Sequence, residues 1–400
     1  MRPAAAEVAD DPRRQLLLEL LQAALTRVDG RRCTREALQA APSQTSNRKV
    51  HVAAVGKAAS AMALGACDAL GGAIGHLLLI TKDGHVDAEA RALPHVEIFE
   101  SAHPVPDARS LAAGERLLQW VEALPPEVEP CFLISGGASS LVEVLEPGTS
   151  LADLTALNER GLASGLSIGE MNAQRSRLSR LKGGRLAARF AARPARALFI
   201  SDVPGDDPAV IGSGLMGPGA VPDRVARTVV ASIDHAVAAA HAAAQARGFE
   251  AWADPNRFAD DAERLAVRFV HELHLNPQPV RIWGGEAVVR LPERPGRGGR
   301  NQHLALAAAR IMAGHDALLL LAAGTDGTDG PTEDAGGLVD AETCSRIAIA
   351  ELDVEQSLRA ADAGRALAAS GDLIHTGPTG TNVGDLVIGL KLARDARGML

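Results

Sequence analysis

The sequence contains no tyrosine, and aromatic residues make up only 2% of its 400 residues. Proteins that bind single-stranded nucleic acid stack the bases on aromatic side chains, so this shortage argues against such a platform. The net charge is −8, and there is no basic block that could follow a phosphate backbone. We therefore expect no nucleic-acid partner, which leaves a small anionic ligand in a locally positive pocket as an option.

Cysteine is also scarce. The sequence has four cysteines and no C-x-x-C pair. This pattern argues against a disulfide framework or a zinc site, and it is typical of reduced thiols in a cytoplasm. The apolar run "QLLLELLQAAL" contains Glu19 and keeps helical periodicity, which predicts an amphipathic helix rather than a secretory signal. No run approaches a membrane span. We expect a cytoplasmic protein with no membrane partner.

What the sequence does have is a regular alternation of short apolar runs and alanine-rich stretches. The apolar runs, each ending in a glycine- or aspartate-rich turn, are "VHVAAVGKAA", "HLLLITKDGH", "CFLISGGASS", "ALFISDVPGDD", "VRIWGGEAV" and "LLLLAAGTDGTDG". Two opening helices are predicted at 15–28 and 34–41. Further helical stretches are predicted at 57–70, 151–166, 223–247 and 258–275. Apolar strands alternating with helices predict a parallel sheet covered on both faces, in which ligands bind outside the carboxyl ends of the strands.

The motif "SGGASS" stands where one predicted core strand ends. Gly136 and Gly137 would let backbone N–H groups approach a ligand, with the positive end of a following helix nearby. The hydroxyls of Ser135, Ser139 and Ser140 could donate to phosphate oxygens. The alternatives are a strand-to-helix turn with a serine cap and a hydrolase elbow, but the elbow needs a final glycine that is missing.

Two basic residues follow strand ends or glycine loops. Lys57, in "VGKAASAM", comes before a predicted helix and could meet an anion there, although the motif is neither a Walker A sequence nor G-x-G-x-x-G. Arg300, in "RGGRNQHLAL", offers a planar fork that matches carboxylate or phosphate. A surface lysine and a basic hairpin turn are the ordinary alternatives.

Acidic residues gather after two other predicted strands. Asp326 and Asp329 lie among glycines in "GTDGTDGPTEDAGG", and Asp202 follows the strand "ALFI". Crowded carboxylates repel one another unless a cation answers them, and Mg²⁺ takes one or two carboxylates together with substrate phosphates. A solvated acidic loop and an Asx turn are the alternatives.

Two further stretches complete the candidate site. "MNAQRSRLSRLKGGRLA" (171–187) predicts a helix that places residues 172, 175, 179 and 182 on one face, among them Lys182. A solvated basic face is the alternative for that helix. "GPTGTNVGDL" supplies Thr379 and Asn382 in a glycine-rich loop.

In combination and in order, these motifs resemble the glycerate 2-kinase family with a MOFRL C-terminal domain, some members of which are known provisionally as hydroxypyruvate reductases. The matching motifs are "GKAA", "TKDGH", "AHPVPD", "SGGASSL", "NAQRSRLSRLKGG", "SDVPGD", "GGE", "GGRNQ", "AAGTDGTDGPT" and "GPTGTN". The resemblance implies a larger Rossmann-like α/β domain at 1–260, a smaller MOFRL-type α/β domain at 278–400, and an active site in the cleft between them.

The resemblance also implies a reaction, the Mg²⁺-dependent transfer of a phosphoryl group from ATP to the C2 hydroxyl of D-glycerate. Lys57 and Arg300 would be its catalytic residues. Lys57, the "SGGASS" loop, Lys182, Thr379 and Asn382 would then bind ATP. Asp202, Asp326 and Asp329 would hold Mg²⁺ or accept the hydroxyl proton, with Asp202 taken as catalytic and the other two as metal ligands. We expect a monomer or homodimer. A hydroxypyruvate reductase using NAD(P)H and a non-catalytic acid-binding protein are the alternatives, although no G-x-G-x-x-G fingerprint is visible.

Overall fold

The computed structural model describes residues 11–41, 48–163 and 174–392, with the side chains of 158–163 excepted. The chain divides into two compact units. We call the first the parallel-sheet unit, which contains Val28–Ser232 and Gly380–Val383. The second, the mixed-sheet unit, contains Met1–Arg27, Ile233–Thr379 and Gly384–Leu400. These bounds differ from the two domains, 1–260 and 278–400, that the sequence suggests. The two sequence-based domains stay a prediction.

The parallel-sheet unit is built on six strands in the order β3-β2-β1-β4-β5-β6. The strands are β1 (Val50–Val55), β2 (Ile74–Lys82), β3 (Val96–Ser101), β4 (Glu129–Ile134), β5 (Ala195–Ile200) and β6 (Val225–Ala231). Every neighbouring pair is parallel. The α/β prediction with a Rossmann-like parallel sheet is confirmed.

Helices connect these strands. They are α2 (Gly30–Ala40), after the N-terminal α1 (Pro12–Val28), and then α3 (Ala59–Leu70), α4 (Ala88–Arg91), α5 (Ala108–Glu122), α6 (Ala138–Leu141) and α7 (Leu151–Ala163). Single 3₁₀ turns lie at Gly71–Ala73, Ala187–Phe190, Pro204–Asp206 and Ile211–Ser213. The predicted helix 151–166 is present as α7, and its last three residues lie outside the described residues. Phe132 anchors the core, with Trp120 and Phe190 edge-on at centroid distances of 5.7 and 5.4 Å.

The mixed-sheet unit has seven strands in the order β12-β11-β10-β13-β9-β7, with β8 beside β9. They are β7 (Ala251–Ala253), β8 (Phe258–Asp261), β9 (Val280–Val288), β10 (Leu318–Gly324), β11 (Gly336–Asp340), β12 (Leu373–Ile374) and β13 (Asp385–Lys391). Its helices after α1 are α8 (Ile233–Ala246), α9 (Ala262–Leu275), α10 (Arg300–Met312), α11 (Thr343–Ile349), α12 (Val354–Arg359) and α13 (Ala363–Ser370).

The expectation of parallel pairing is wrong for most of this second sheet. Strand β10, the run "LLLLAAG", pairs antiparallel with both β11 and β13. An apolar run shows that a strand is buried on both faces, but it does not show the direction of its neighbours. The helices predicted at 223–247 and 258–275 also begin too early. Val225–Ala231 and Phe258–Asp261 are strands, and the helices follow them.

Helix α1 belongs to the mixed-sheet unit and is held there by buried ion pairs. Arg14 contacts Asp340 at 2.7 Å and Asp372 at 2.8 Å, and it also donates to the Leu338 carbonyl. Arg346 pairs with the same two carboxylates. Charges withdrawn from water need this degree of pairing, so the cluster fixes the position of the opening helix.

In the described ranges, no helix is both long and apolar enough to cross a membrane. All four cysteines fall within those ranges and are free thiols, with Cys33 and Cys131 buried.

Candidate active site

The strand order of the parallel-sheet unit places a topological switch point between β1 and β4. The chain leaves β1 toward β2 and β3, and it then returns through α5 to β4 on the other side of β1. Ligands of open α/β sheets bind outside the carboxyl ends of the strands at such a point. The segments found there are Gly56–Lys57 after β1 and Ser135–Ser140 after β4, two of the motifs selected from the sequence.

Hydrogen bonds hold these two segments against each other. The Lys57 N–H donates to the Gly136 carbonyl at 2.9 Å, and the Ala58 N–H donates to Ser135 Oγ at 3.1 Å. Gly56 has a φ of 133°, and a Cβ there would lie 2.2 Å from Ser135 Oγ. The buried Ser135 hydroxyl therefore joins the two loops, and its predicted role toward ATP stays a prediction.

Because Gly136 and Gly137 lack a Cβ, four polar side chains can lie against them. A Cβ at Gly136 would lie 2.0 Å from Asp202 Oδ2 and 2.5 Å from Asn382 Nδ2. A Cβ at Gly137 would lie 3.1 Å from both Lys57 Cγ and His103 Cδ2. Asn382 also donates to Asp202 across 3.3 Å, although the two residues are 180 positions apart in the chain. Glycine is thus required where the side chains converge.

A cavity of about 190 Å³ opens on the other side of Gly137. Ser139 and Ser140 line it, with Ser139 Oγ 2.7 Å from Ser213 Oγ and Ser140 Oγ donating to the Gly137 carbonyl at 3.1 Å. The remaining lining residues are His103, Pro104, Pro106, Leu154, Arg175 and Lys182. The sequence motif "AHPVPD" contains His103, but His103 is not among the site residues predicted from the sequence.

Lys182 is buried at the base of this cavity, with a relative exposure of 1%. Its ammonium donates to the buried Glu143 carboxylate, which also accepts from Ser179 Oγ. Burial lowers the pKa of Lys182, and the neighbouring Glu143 charge opposes that effect. Lys182 therefore lines the cavity through a side chain whose charge is met from within the protein.

The predicted helical face through residue 182 is wrong. The described helix covers 174–178, and Ser179 forms an isolated bridge with Leu145 instead. Lys182 lies in the turn that follows, before the positive-φ residues Gly183 and Gly184. Position 172 lies outside the described residues.

In the mixed-sheet unit, Arg300 is the first residue of α10 and is oriented by Asp385. The Arg300 Nε and one terminal nitrogen donate to the two Asp385 oxygens at 2.7 and 3.0 Å, and the other terminal nitrogen lies 3.2 Å from Glu286. Burial lowers the pKa of Arg300, but the neighbouring carboxylates, Asp385 first, raise it above its ordinary value. The guanidinium is thus a fixed positive charge.

Asp326 and Asp329, predicted together as metal ligands, have different surroundings. Asp329 is 2% exposed and accepts from the backbone N–H groups of Asn301 at 3.1 Å and Gln302 at 2.8 Å. It supplies the cap of α10, because Gly299 at the N-cap position has no side chain. Burial raises the pKa of Asp329 from 3.8 to about 7. Asp326 is half-buried, and its Oδ1 accepts from Thr328 N and Oγ1.

Within the described parts of the chain, no three His, Cys, Asp or Glu side chains are arranged as a ready metal site. Mg²⁺ at a phosphate substrate takes only one or two carboxylates, so it does not require a cluster of this kind. Thr379 donates to the Thr325 carbonyl beside Asp326. The predicted metal roles and the role of Thr379 stay predictions.

The predicted site residues thus fall into two groups, one in each unit. The parallel-sheet unit holds Lys57, Ser135, Gly136, Gly137, Ser139, Ser140, Lys182, Asp202 and Asn382, and the mixed-sheet unit holds Arg300, Asp326, Asp329 and Thr379.

Comparisons with known proteins identify the relatives of this chain. Residues 16–246 match the family described as Domain of unknown function (DUF4147), and residues 279–385 match the MOFRL family. A D-glycerate 2-kinase of Thermotoga maritima is 35% identical, with 94% of this chain and 98% of that protein aligned. A protein of Agrobacterium vitis with the provisional name hydroxypyruvate reductase is also 35% identical, with 93% of each chain aligned.

The crystal structure of a glycerate kinase from Thermotoga maritima superposes with a TM-score of 0.84 at 35% identity. The superposition covers 95% of this chain and 99% of that chain. Likeness over nearly the whole length is therefore present in both sequence and fold. The chain belongs to the family of two-part proteins in which a DUF4147 region precedes a MOFRL region, the family that includes the glycerate 2-kinases.

Proposed function

We propose that this protein is a kinase that transfers the γ-phosphoryl group of ATP to the C2 hydroxyl of D-glycerate and forms 2-phosphoglycerate. Its relatives support this reaction, since a protein named D-glycerate 2-kinase matches along almost the entire chain. The observation that carries the proposal is the convergence of Lys57, Asp202 and Asn382 on Gly136 and Gly137. The four free thiols support a cytoplasmic location.

The donor phosphates are assigned to Lys57 and the glycine pair. Phosphoryl transfer depends on positioning and on neutralising charge, because the protein has little covalent chemistry to perform. The absence of a Cβ at Gly136 and Gly137 lets the Asn382 amide and the Lys57 side chain lie close to the backbone of this loop. Asn382, from the segment Gly380–Val383, supplies a further N–H donor beside this loop and donates to Asp202.

Asp202 is assigned as the acceptor of the hydroxyl proton. Its Oδ2 lies against Gly136 and accepts from Asn382, so its carboxylate has a fixed direction. A base must lie within hydrogen-bond reach of the proton that it removes, and the loop that would hold the donor phosphates provides that proximity.

A Mg²⁺ ion fits Asp326 better than Asp329. Both oxygens of Asp329 accept backbone N–H groups and the residue is 2% exposed, whereas Asp326 is only half-buried and so is more accessible to a metal ion. When bound with the nucleotide, Mg²⁺ would neutralise phosphate charge. Asp326 is therefore the proposed ligand, and Asp329 is proposed to hold the helix that begins with Arg300.

Arg300 is assigned to the transferring phosphoryl group. Asp385 fixes one edge of the guanidinium, and the remaining nitrogen faces the exposed Glu286. An incoming anion would replace Glu286 without disturbing the buried pair. Arginine suits this role, since added positive charge stabilises the transition state of phosphoryl transfer.

The test is NMR of the product after incubation with ATP, Mg²⁺ and D-glycerate, because one spectrum reports both the reaction and the position of the phosphate. We expect 2-phosphoglycerate, with none formed when ATP is omitted. A 3-phosphate product would contradict the assigned hydroxyl. Oxidation of NADH with hydroxypyruvate, together with no ATP consumption, would favour the reductase alternative, and D-glycerate binding without any product would favour a binding protein.

A further inference from the structure

The cavity beside Gly137 is lined by both polar and apolar residues. Ser139, Ser140 and Arg175 contribute hydroxyls and a guanidinium. Pro104 and Leu154 lie among the apolar residues of the same cavity. A short hydroxy acid has both a carbon chain to meet the apolar residues and charged or hydroxyl groups to meet the polar ones. The chemistry of the lining therefore matches a small organic acid.

The size of the cavity supports the same class of ligand. Sites for drug-sized ligands, the size class of a nucleotide, have volumes of about 300–1,000 Å³. The cavity has about 190 Å³, room for roughly six waters at about 30 Å³ each. This volume suffices for a three-carbon acid and lies below the usual range for larger ligands.

A buried ion pair lies at the lining of the cavity. Lys182 donates to Glu143, and the Ser179 hydroxyl joins the same carboxylate. Arg175 lines the same cavity, and its planar fork matches a carboxylate in two-point geometry. The Lys182–Glu143 pair supports the cavity wall.

The cavity is also next to the proposed site of the donor phosphates. Gly137 lines it, and Lys57 Cγ lies 3.1 Å from the position of a Cβ on Gly137. An acid in the cavity would therefore be separated from the Lys57 side chain by one glycine. A phosphoryl acceptor has to lie beside its donor for direct transfer.

We propose that this cavity is the acceptor site, in which Arg175 binds the carboxylate of a short 2-hydroxy acid and Ser139 and Ser140 face its hydroxyls. This proposal rests on the kinase function proposed above. It also revises the sequence-based assignment of Ser139, Ser140 and Lys182 to ATP, and it makes Arg175 a substrate-binding residue.

The experiment compares Arg175→Ala with Arg177→Ala. Both arginines lie in the helix 174–178, but Arg177 is exposed and does not line the cavity. We expect Arg175→Ala to raise the KM for D-glycerate about 10- to 100-fold, the loss of one charge-assisted contact, with the KM for ATP within about twofold of wild type. Arg177→Ala should leave both constants unchanged. Arg175→Lys should recover only part of the loss, because it restores the charge without the fork.

Three outcomes would overturn the proposal. These are a KM for D-glycerate that Arg175→Ala leaves unchanged, a rise in the KM for ATP instead, or an equal effect of Arg177→Ala. Thermal unfolding of each variant checks that the fold is intact, and Arg175→Lys serves as the test if Arg175→Ala does not fold. If wild type forms no product, the kinase proposal fails, and calorimetry still tests the cavity. Binding of D-glycerate to wild type but not to Arg175→Ala supports it, and equal or absent binding refutes it.

Discussion

The loop after β4 and the loop after β10 are both rich in glycine and both follow a buried strand, but they use their polar residues differently. After β4, Gly136 and Gly137 leave space that side chains from distant segments enter. After β10, Asp329 caps a helix, and Asp334, which is 3% exposed, pairs with Arg297 at 2.8 Å. In the first loop the glycines make room for side chains from distant segments. In the second loop two carboxylates, those of Asp329 and Asp334, stabilise the fold.

The largest expected difference concerns Lys57 and Arg300, the two cations that we propose as catalytic. Lys57→Ala should lower kcat by about 10²–10³ with little loss of thermal stability, because the lysine acts on the phosphates. Arg300→Ala should cost a similar factor in kcat and also roughly 3 kcal/mol of stability, because Asp385 would be left buried without its partner. This cost is at the low end for a broken buried pair, since the Arg300 side chain is 38% exposed.

Steady-state kinetics together with urea unfolding of both variants measure this difference. The buried contact with Asp385 is what should separate Arg300→Ala from Lys57→Ala in stability. Equal stability of the two variants would show that Asp385 does not depend on Arg300.

A matched pair of glycine substitutions sharpens the comparison between the loops. Gly136→Ala would push Asp202 and Asn382 aside, and a misplacement of about 1 Å can cost about 100-fold in rate. At Gly299 a Cβ would lie 2.3 Å from the carbonyl carbon of Asp329, so Gly299→Ala should disturb the cap of α10. We expect the second variant to lose about 1–3 kcal/mol of stability.

Melting temperature and kcat/KM, measured for both glycine variants, separate the two roles. The contrast would disappear if Gly136→Ala unfolded the protein more than Gly299→Ala while leaving kcat/KM near wild type.

The pH dependence of stability tests the surroundings of Asp329. Its folded pKa, about 7, is raised above the ordinary 3.8, so the folded state binds this proton more tightly than the unfolded state does. The resulting stabilisation is present below about pH 4 and is lost as pH rises through about 7. The melting temperature of wild type minus that of Asp329→Asn should therefore fall between pH 5 and pH 8 in metal-free buffer. A constant difference would show that Asp329 remains ionised throughout this range.

These contrasts also show how much the sequence could predict. Apolar runs bounded by glycine identified strands β1, β2, β4, β5, β9 and β10, because full burial requires such runs. Strand β6 was assigned to a helix. It lies at the edge of its sheet with alternating exposure, and "VARTVVA" adjoins the alanine-rich α8 without a clear break.

The site was predictable as a set of motifs but not as a set of contacts. Glycines at a strand end single out the loop at Gly136, and the functional role of that loop stays a prediction. The pairing of Asp202 with Asn382 depends on Gly380–Val383 belonging to the first unit, which local patterns do not encode. Asp326 and Asp329 also look equivalent in sequence, and only the position of the α10 N-terminus distinguishes them.

The smallest expected effect concerns Glu286, the second carboxylate beside Arg300. Glu286 is 56% exposed and lies 3.2 Å from the guanidinium, whereas Asp385 is fully buried. Exposed ion pairs contribute about 0–1 kcal/mol, so Glu286→Gln should change the melting temperature by no more than a few degrees. If Glu286 competes with an incoming anion, kcat/KM should stay equal or rise up to about fivefold, from less than about 1 kcal/mol of released attraction. A fall in kcat/KM comparable to that of Arg300→Ala would instead place Glu286 among the residues required for the reaction.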